Sequence, residues 1–343
     1  MPSVLDPLII RGLTLRNRFV LAPMRSRKAA PDGFVTDNIV RHYADLSAGV
    51  GTAVVEHAYV VDWGRVTPEL GVSDDAFIPG LARLAEAIHA GGAMAVLQIS
   101  HAGSHSSSRV LDGQLPAAPS AVRNPRAGEE GEVPRVITKA EIDELAAAFG
   151  AAARRAVQAG FDGVEVHCAH GFLLSEFLSP ITNKRVDDYG GNVENRVRFP
   201  VEVIEAVRRV LNRDVPLFCR FPGSDLLPGG LELTESVEMG RALVSAGVDV
   251  LDVSGGMGGI EPPTGARHRG QGFLVPLAEA VKKATGAWVI GVGGVVDPWF
   301  ADKIVRERRV DLVAVGRATL SSPGWFMKAI HTLREGGSSS GTS

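Results

Sequence analysis

The sequence predicts one α/β domain built as a (β/α)8 TIM barrel, with a short N-terminal β-hairpin before the first barrel strand. Short, almost continuously apolar runs alternate with longer segments of helical periodicity along most of the 343 residues. Apolar runs without polar alternation indicate strands that are buried on both faces, as parallel strands are. Eight such runs, each followed by a helical segment, match the (β/α)8 pattern.

A hairpin precedes the barrel strands. Leu8–Arg11 and Leu13–Leu15 flank Gly12, and we expect this pair of strands to close the floor of the barrel. The barrel strands are predicted at Phe19–Ala22, Ala53–Val60, Ala93–Ile99, Gly163–Val166, Val215–Arg220, Val250–Val253, Trp288–Gly291 and Leu312–Val315.

Helical patterns fall between and after these strands. Thr138 is a predicted N-cap, and Glu141 three residues later completes a capping box. Several helical patterns are followed by glycine, the residue typical of the position just after a helix. The predicted helices are Asn38–Ala48, Pro79–Ala90, Thr138–Ala159, Asn192–Leu211, Thr234–Ala246, Phe273–Thr285, Pro298–Arg306 and Pro323–Arg334.

Two predicted connections are long, at His101–Ile137 and His167–Gly191. Connections beyond roughly 12–15 residues are usually functional or disordered. Both follow the C-terminal end of a strand, which is the face that carries the active site in this fold. We therefore expect both connections to lie at the functional face.

The length fits either two average domains or one large barrel. No linker-like change of composition interrupts the alternation, which favours a single domain over residues 1–335. Residues 336–343 are rich in glycine and serine, which predicts a disordered tail.

Composition excludes several classes of protein. A formal net charge of −3 gives no nucleic-acid footprint. Cys168 and Cys219 are too few for a disulfide framework or a four-cysteine iron–sulfur cluster, and they suit a reducing cytoplasm. No apolar run approaches the roughly 20 residues of a membrane span, and Met1–Asp6 does not resemble a signal peptide. We expect a cytoplasmic protein without a membrane partner, and homo-oligomerisation is left open.

Glycines follow the last two predicted strands, in Gly291–Gly294 and in Gly316 next to Arg317. Glycine lets backbone N–H groups approach an anion, and these two loops form the usual phosphate site of a (β/α)8 barrel. The same glycines would also suit turns that need a positive φ. The run Gly255–Gly259 after the sixth strand is less specific and would equally suit a mobile loop.

Two histidines, His167 and His170, follow the fourth strand three residues apart. This spacing would suit a metal ion, with Glu56, His57 and His101 as further candidates on neighbouring strand ends. No clear third ligand has a suitable spacing, so the sequence does not predict a metal site.

Taken in order, these motifs resemble the old yellow enzyme family of FMN-dependent oxidoreductases. The resemblance extends from about Leu5 to Lys328. The matching positions are Pro23, Met24, Gln98, His167, Arg220, Gly293, Gly294, Gly316 and Arg317.

The resemblance implies one non-covalent FMN. Gln98 and Arg220 would bind its pyrimidine and ribityl groups, and Pro23 and Met24 would lie against the isoalloxazine ring. The other cofactor-binding positions that we infer are Arg25, His57, His167, Gly255, Gly293, Gly294, Gly316 and Arg317.

The resemblance also implies the chemistry. His167 and His170 would donate hydrogen bonds to the carbonyl oxygen of a small conjugated carbonyl substrate and stabilise the developing enolate. Hydride would pass from flavin N5 to the β-carbon. The electrons would come from NADH or NADPH at the same flavin face, since no G-x-G-x-x-G strand–turn–helix motif is present. The predicted substrate pocket contains Arg25, Tyr59, His101 and Phe172.

Phe172 departs from the family pattern, because family members usually place a proton-donating tyrosine there. Without it, the proton would come from water or from Tyr59 or Tyr189. The alternative is that the enzyme works in reverse, as an FMN-dependent dehydrogenase or desaturase. A third reading is a flavin-binding protein with vestigial catalysis.

Arg25 is the second departure, because the family usually has threonine or cysteine after the methionine. A guanidinium beside the flavin would favour the anionic reduced form and so ease substrate oxidation. Alternatively, a one-residue deletion puts Ser26 there, or Arg25 points to solvent or to a carboxylate in an adjacent loop.

Overall fold

The structure is a computed structural model, and it describes residues 1–125, 131–257 and 270–338. Its strands are β1 (Leu8–Ile10), β2 (Leu13–Leu15), β3 (Phe19–Leu21), β4 (Thr52–Tyr59), β5 (Leu70–Gly71), β6 (Met94–Ser100), β7 (Ala117–Ala118), β8 (Arg135–Val136), β9 (Gly163–His167), β10 (Leu217–Pro222), β11 (Val250–Ser254), β12 (Trp288–Gly291) and β13 (Leu312–Val315).

Parallel pairing closes the main sheet into a barrel. The strand order is β3-β13-β12-β11-β10-β9-β6-β4, and β4 returns to pair with β3. The short β5 pairs in parallel with the C-terminal end of β4. Each barrel strand lies within two residues of its predicted bounds, and the predicted (β/α)8 class is confirmed. β1 and β2 form the predicted hairpin, with Leu8 opposite Leu15.

Helices follow the strands and cover the outside of the barrel. Their bounds are α1 (Asp37–Ser47), α2 (Ile78–Ala90), α3 (Lys139–Gln158), α4 (Leu173–Leu178), α5 (Val193–Val210), α6 (Leu233–Ser245), α7 (Val275–Thr285), α8 (Pro298–Arg306), α9 (Arg317–Ser321) and α10 (Trp325–Ser338).

The sequence did not predict α4 and α9. Six and five residues span less than two turns, too short for a helical period to be recognised. The capping box of α3 is confirmed, with Thr138 and Glu141 bonded to each other's backbone N–H. Helix α10 continues to Ser338 and so includes the first three residues of the predicted disordered tail; residues 339–343 lie outside the described residues.

The buried apolar residues form two clusters. One lies between the barrel and its helices and includes Tyr59 and Phe77. The other contains the inward-facing side chains of the strands, such as Val54 and Phe218. The hairpin residues Leu8, Ile10 and Leu15 belong to this inner cluster, which agrees with a hairpin that closes the barrel floor. The opposite end, at the C-terminal ends of the strands, is where the polar residues collect.

Within residues 1–125, 131–257 and 270–338, no helix combines the length and apolar character that crossing a membrane requires.

Candidate functional site

One cleft opens at the C-terminal ends of β3, β10, β12 and β13. It contains about 720 Å³ of empty space, part of it open to solvent. Its lining residues are Ala22, Pro23, Met24, Arg220, Val292, Gly294, Val295, Val296, Ala314, Gly316, Arg317 and Ala318. The two glycine loops, the proline-containing run after the first barrel strand and Arg220 therefore share one cavity, although they are far apart in sequence.

The glycines at and next to this cleft allow backbone angles that other residues rarely adopt, and they let neighbouring atoms approach the backbone closely. Gly293 and Gly294 have φ values of +127° and +66°, which other residues rarely adopt. A Cβ atom at position 316 would lie 3.1 Å from Sδ of Met24. Helix α9 begins directly after Gly316, so backbone N–H groups without helical partners lie at the cleft, next to the exposed side chain of Arg317. This donor set suits a phosphate group.

The loop after β11 is described only in part. Gly255 is buried, and a Cβ atom there would lie 3.1 Å from a methyl group of Leu274. Gly256 has a φ of +93°. Gly258 and Gly259, the last glycines of this run, lie outside the described residues.

A buried polar group lies beneath the mouth of the barrel. Arg220 is 3% exposed and donates to Oδ2 of Asp252 at 2.6 Å. Nε2 of Gln98 donates to Oε1 of Glu165 at 2.7 Å on two adjacent strands. Among the described residues, Nε of Arg220, Oε2 of Glu165 and Oδ1 of Asp252 have no hydrogen-bond partner. The sequence identified Gln98 and Arg220 but not the two carboxylates that hold them.

Burial controls the protonation of these carboxyl groups. It raises the pKa of Glu165 to about 8, and the negative charge of Asp252 adds to the effect. Burial also raises the pKa of Asp252, although the Arg220 guanidinium opposes this. Burial therefore favours a state in which Glu165 and Asp252 together carry less negative charge than two ionised carboxylates, beside the single positive charge of Arg220.

The two predicted catalytic histidines lie together at the end of β9. Their ring centroids are 5.4 Å apart, and Nε2 of His170 lies 2.7 Å from the hydroxyl oxygen of Ser254. Nδ1 of His167 is buried and has no partner among the described residues. Burial, followed by the neighbouring His170 and His57, holds the pKa of His167 well below its usual value. His167 is therefore a neutral imidazole whose unpaired nitrogen is available to a ligand.

Phe172 lies among three imidazole rings. Its ring centroid is 4.4 Å from that of His167, 4.9 Å from that of His57 and 5.0 Å from that of His105. Phe172 is the residue before α4, and its half-buried ring contacts the same histidine that was predicted to bind substrate. The structure thus brings Phe172, His57 and His167 together.

His57 has a buried acidic partner. Its Nδ1 donates to Oε1 of Glu69 at 2.5 Å, and the Glu69 residue is 2% exposed. Glu69 is the last residue of the segment that connects β4 to β5. The sequence analysis missed Glu69 because no motif marks an acid twelve positions after a histidine; the contact depends on how this loop returns to the barrel.

Two tyrosines that the sequence suggested as proton donors, Tyr59 and Tyr189, lie outside this group. The hydroxyl of Tyr59 donates to the carbonyl oxygen of Asp32 at 3.2 Å, in the layer between barrel and helices. The hydroxyl of Tyr189 is 3.3 Å from the carboxylate of Glu202. These contacts correct the expectation that either tyrosine replaces the missing proton donor. Both phenols are engaged with other groups, and burial raises the pKa of each to about 12.

His101 is 1% exposed, and its ring packs edge-on against Trp63 with centroids 4.5 Å apart. Burial lowers its pKa to about 3, so the ring is neutral. Its Nδ1 accepts a hydrogen bond from the backbone N–H of Gly103 at 3.0 Å. His101 therefore packs into the protein wall and does not line the cleft, and its Nε2 is buried without a partner among the described residues.

Arg25 is exposed, and its Nη2 donates to the carbonyl oxygen of Thr67 at 2.7 Å. The side chain thus reaches an adjacent loop, where a backbone carbonyl is one of its partners. The backbone N–H of Ser26 donates to Glu56 at 2.7 Å. Across the part of the chain that the structure describes, no three His, Cys, Asp or Glu side chains are grouped to hold a metal ion.

A second buried acid supports the turn that contains His170. The side chain of Glu176 in α4 accepts hydrogen bonds from the hydroxyl and the backbone N–H of Ser104. Asn124 donates to the same hydroxyl at 2.9 Å and to the carbonyl oxygen of Gly171 at 3.5 Å. Burial raises the pKa of Glu176 to about 8. This group joins the two long connections, and no sequence signal identified it.

Comparison with known proteins gives a family match over nearly the whole chain. The model of the NADH:flavin oxidoreductase / NADH oxidase family matches residues 3–335. An NADH oxidase of Thermoanaerobacter brockii is 40% identical over 333 residues, covering 96% of this chain and 50% of that protein. This chain thus spans about half the length of that relative. An NADPH dehydrogenase of Geobacillus sp. (strain WCH70) is 39% identical over 332 residues, which are 96% of this chain and 94% of the relative. The solved structure of an old yellow enzyme homologue from Zymomonas mobilis superposes with a TM-score of 0.82 at 27% identity, covering 96% of this chain and 93% of that one.

Proposed function

This chain belongs to the NADH:flavin oxidoreductase / NADH oxidase family, and from that premise we propose that it reduces the C=C bond of a small α,β-unsaturated carbonyl compound. It is an FMN-dependent oxidoreductase of the old yellow enzyme type, with a reduced nicotinamide as electron donor. What we propose concerns the second substrate: that it is an α,β-unsaturated carbonyl compound and that the enzyme reduces it.

FMN fits the residues of the cleft. When bound, this cofactor supplies a carrier that accepts a hydride from the nicotinamide and passes it to the substrate. Gly294, Gly316 and Arg317 would hold its phosphate, since they combine open backbone N–H groups with a cation. Pro23 and Met24 line the same cavity and would cover an apolar ring face. The unpaired buried Nε of Arg220 is a donor suited to a polar edge of that ring.

The observation that carries the proposal is the pair His167 and His170. Nδ1 of His167 is buried without a partner among the described residues, and the ring of His170 is 5.4 Å away. A buried polar atom without a partner is costly, which favours a ligand that pairs with it. Two imidazole N–H groups aimed at one carbonyl oxygen would stabilise the enolate that forms as hydride reaches the β-carbon.

The position of Arg25 favours reduction over dehydrogenation. The dehydrogenase alternative depended partly on a guanidinium beside the flavin. Arg25 is exposed and donates to the carbonyl oxygen of Thr67 in a neighbouring loop. This contact engages one nitrogen of the guanidinium with that loop, which supports reduction as the proposed direction.

The test is an anaerobic two-step experiment on the purified holoenzyme. NADPH or NADH should bleach the bound flavin, and 2-cyclohexenone should then restore its colour with formation of cyclohexanone. The double substitution His167→Ala and His170→Ala should abolish the second step. The exposed His331→Ala, on α10, is the matched control and should leave both steps unchanged.

Three results would contradict the proposal. Flavin that is reduced by NADPH but is not reoxidised by any enone would contradict alkene reduction as the function. Bleaching of oxidised flavin by a saturated ketone in place of NADPH would favour the dehydrogenase. Full enone turnover in the double variant would show that the two imidazoles do not hold the substrate oxygen.

A further inference from the structure

Alkene reduction requires a proton at the α-carbon after hydride has reached the β-carbon. Phe172 has no exchangeable proton, and the hydroxyls of Tyr59 and Tyr189 are held by Asp32 and Glu202. The remaining candidates for the donor are water and the side chains around Phe172. Those with a titratable nitrogen are His57, His105 and His167, the three rings whose centroids lie within 5.0 Å of Phe172.

His57 has a buried carboxylate partner among the described residues. Glu69 accepts the Nδ1 proton of His57 at 2.5 Å, and it is itself fixed by the backbone N–H of Val66 at 2.6 Å and the hydroxyl of Ser100 at 3.4 Å. This pairing places a proton on Nδ1 of His57, and it leaves Nε2 as the ring nitrogen that can meet a substrate. Nε2 makes no hydrogen bond to any described residue, although the side chain is only 10% exposed.

The ring of His57 faces the substrate-binding histidine. The two rings are nearly parallel, with an interplanar angle of 17° and centroids 6.3 Å apart, and the tilted ring of Phe172 lies beside both. A ligand whose carbonyl oxygen is held by His167 would have its adjacent carbons on the side of Phe172 and His57. The other two imidazoles are less suited. Nε2 of His105 donates to the carbonyl oxygen of His170 at 2.9 Å, and His167 is needed at the oxygen.

We propose that His57, oriented by Glu69, is the proton donor to the α-carbon of the substrate, in place of the tyrosine that Phe172 replaces. This inference rests on the proposed alkene reduction. Hydride that bound FMN would supply adds to the β-carbon and leaves an enolate. The imidazolium of His57 then gives its Nε2 proton to the α-carbon, the C=C bond electrons become the second C–H bond, and the ring is left neutral. Water returns the proton to His57.

The carboxylate is essential to this assignment because a neutral imidazole with its proton on Nδ1 has no Nε2 proton to give. The charged or titratable groups that face His57 are the carboxylates of Glu69 and Glu56 and the neutral ring of His167. Glu69 accepts the ring proton directly and stabilises the positive charge of the imidazolium, as a buried carboxylate does for a catalytic histidine. Glu69 is thus a positioning residue and His57 the catalytic one.

The first test follows reoxidation of the reduced holoenzyme by 2-cyclohexenone and by benzoquinone, whose product takes its protons on oxygen. His57→Gln should slow the enone reaction by about 10²–10⁴-fold, the usual contribution of a positioned general acid. Reduction by NADPH and reoxidation by benzoquinone should fall far less, because neither step takes a proton from His57 onto carbon. The control His89→Gln breaks a second histidine–carboxylate pair, with Asp162, on the outside of the barrel and should leave all three steps unchanged. An equal loss in His105→Gln, or no loss in His57→Gln, would overturn the assignment.

The second test separates His57 from the proposed function. The oxidised holoenzyme is incubated with cyclohexanone in D2O, and NMR monitors the exchange of the α-protons of the ketone for deuterium. This exchange needs proton transfer but no hydride transfer. Exchange that disappears in His57→Gln supports the assignment even if no enone is reduced. Exchange that is absent in the unmodified enzyme, or that persists in His57→Gln, overturns it. Enone reduction in the unmodified enzyme judges the proposed function on its own.

The role of Glu69 has its own measurement. In Glu69→Gln the amide oxygen still accepts the Nδ1 proton, so the orientation is kept while the charge is removed. The kcat of enone reoxidation should then fall while the KM for the enone stays the same and reoxidation by benzoquinone stays fast, because the imidazole loses the charge of its partner. A variant that folds and retains FMN but keeps the original kcat would overturn the part assigned to Glu69.

Discussion

Nη1 of Arg220 donates a 2.6 Å hydrogen bond to Oδ2 of Asp252, and the two residues lie directly opposite each other on adjacent barrel strands. Arg220 also lines the cleft, so this contact links the packed interior of the barrel to the cofactor site. Asp252 is fully buried and fixes the guanidinium from below, which leaves Nε of Arg220 as an unpaired donor among the described residues.

Asp252→Ala is expected to lower the free energy of unfolding by about 3–5 kcal/mol, because it leaves the charge of Arg220 buried without its partner. FMN retention should fall with it, since the guanidinium loses its fixed position. Chemical denaturation and release of FMN on gel filtration measure the two effects. The exposed pair of Arg83 with Asp37 is the control, and Asp37→Ala should change neither quantity appreciably. Equal behaviour of the two variants would contradict the assigned role.

Glu165 makes stability depend on pH in an unusual direction for an acid. Burial raises its pKa from 4.5 to about 8, so the folded state holds a proton that the unfolded state releases. Stability should therefore fall as the pH rises between these two values. Glu165→Gln should reduce this fall, and denaturation curves at both ends of the window measure it. Glu176, with a pKa also raised to about 8, should still contribute a decline in that variant. A pH dependence unchanged by the substitution would refute the assignment.

Phe172→Tyr should restore enone reduction in the His57→Gln variant. A phenol at this position would lie beside His167, whose ring centroid is 4.4 Å from that of Phe172. A positioned acid is worth about 10²–10⁴-fold, so most of the activity lost in His57→Gln should return. In the otherwise unmodified enzyme the same change should give a smaller gain, because a donor is already present. Anaerobic reoxidation rates of the four proteins form a double-mutant cycle. Equal gains in both backgrounds would show that His57 and residue 172 do not share one task.

Arg317→Ala should weaken FMN binding without affecting folding. A hydrogen bond to a charged group contributes about 1.5–3 kcal/mol, which corresponds to roughly tenfold to a hundredfold in Kd. Fluorescence titration of the apoprotein with FMN gives this change, and chromatography of the released cofactor should show FMN and no FAD. Arg209→Ala, an exposed arginine at the end of α5, is the matched control. An unchanged Kd in Arg317→Ala would remove Arg317 from the phosphate site.

The sequence predicted the elements whose signals are local. The apolar strands, the capping box at Thr138 and the polar residues at strand ends all depend on neighbouring positions along the chain. Gly294, Gly316 and Arg220 line one cleft because the order of strands around a barrel follows from the fold class. The place of Phe172 beside His167 also follows from a separation of five residues at one strand end.

Partners that come from distant loops could not be predicted in the same way. Glu69 reaches His57 only because the segment after β4 turns back over the barrel, and Glu176 reaches Ser104 only where the two long connections meet. Tyr59 was misplaced for a related reason. β4 changes register between Val55 and Ala58, so alternation along the strand does not reveal which side chains face the helices.

Closure of the barrel has a consequence for synthesis of the protein. Phe19–Leu21 pairs with Thr52–Tyr59 on one side and with Leu312–Val315 on the other. The first of these partners leaves the ribosome early, but the second follows nearly three hundred residues later. At roughly 5–20 residues per second, one edge of the strand stays open for about 15–60 s. An open edge is a template for pairing with other chains, so nascent polypeptides on neighbouring ribosomes are exposed to mutual aggregation until the last barrel strand emerges.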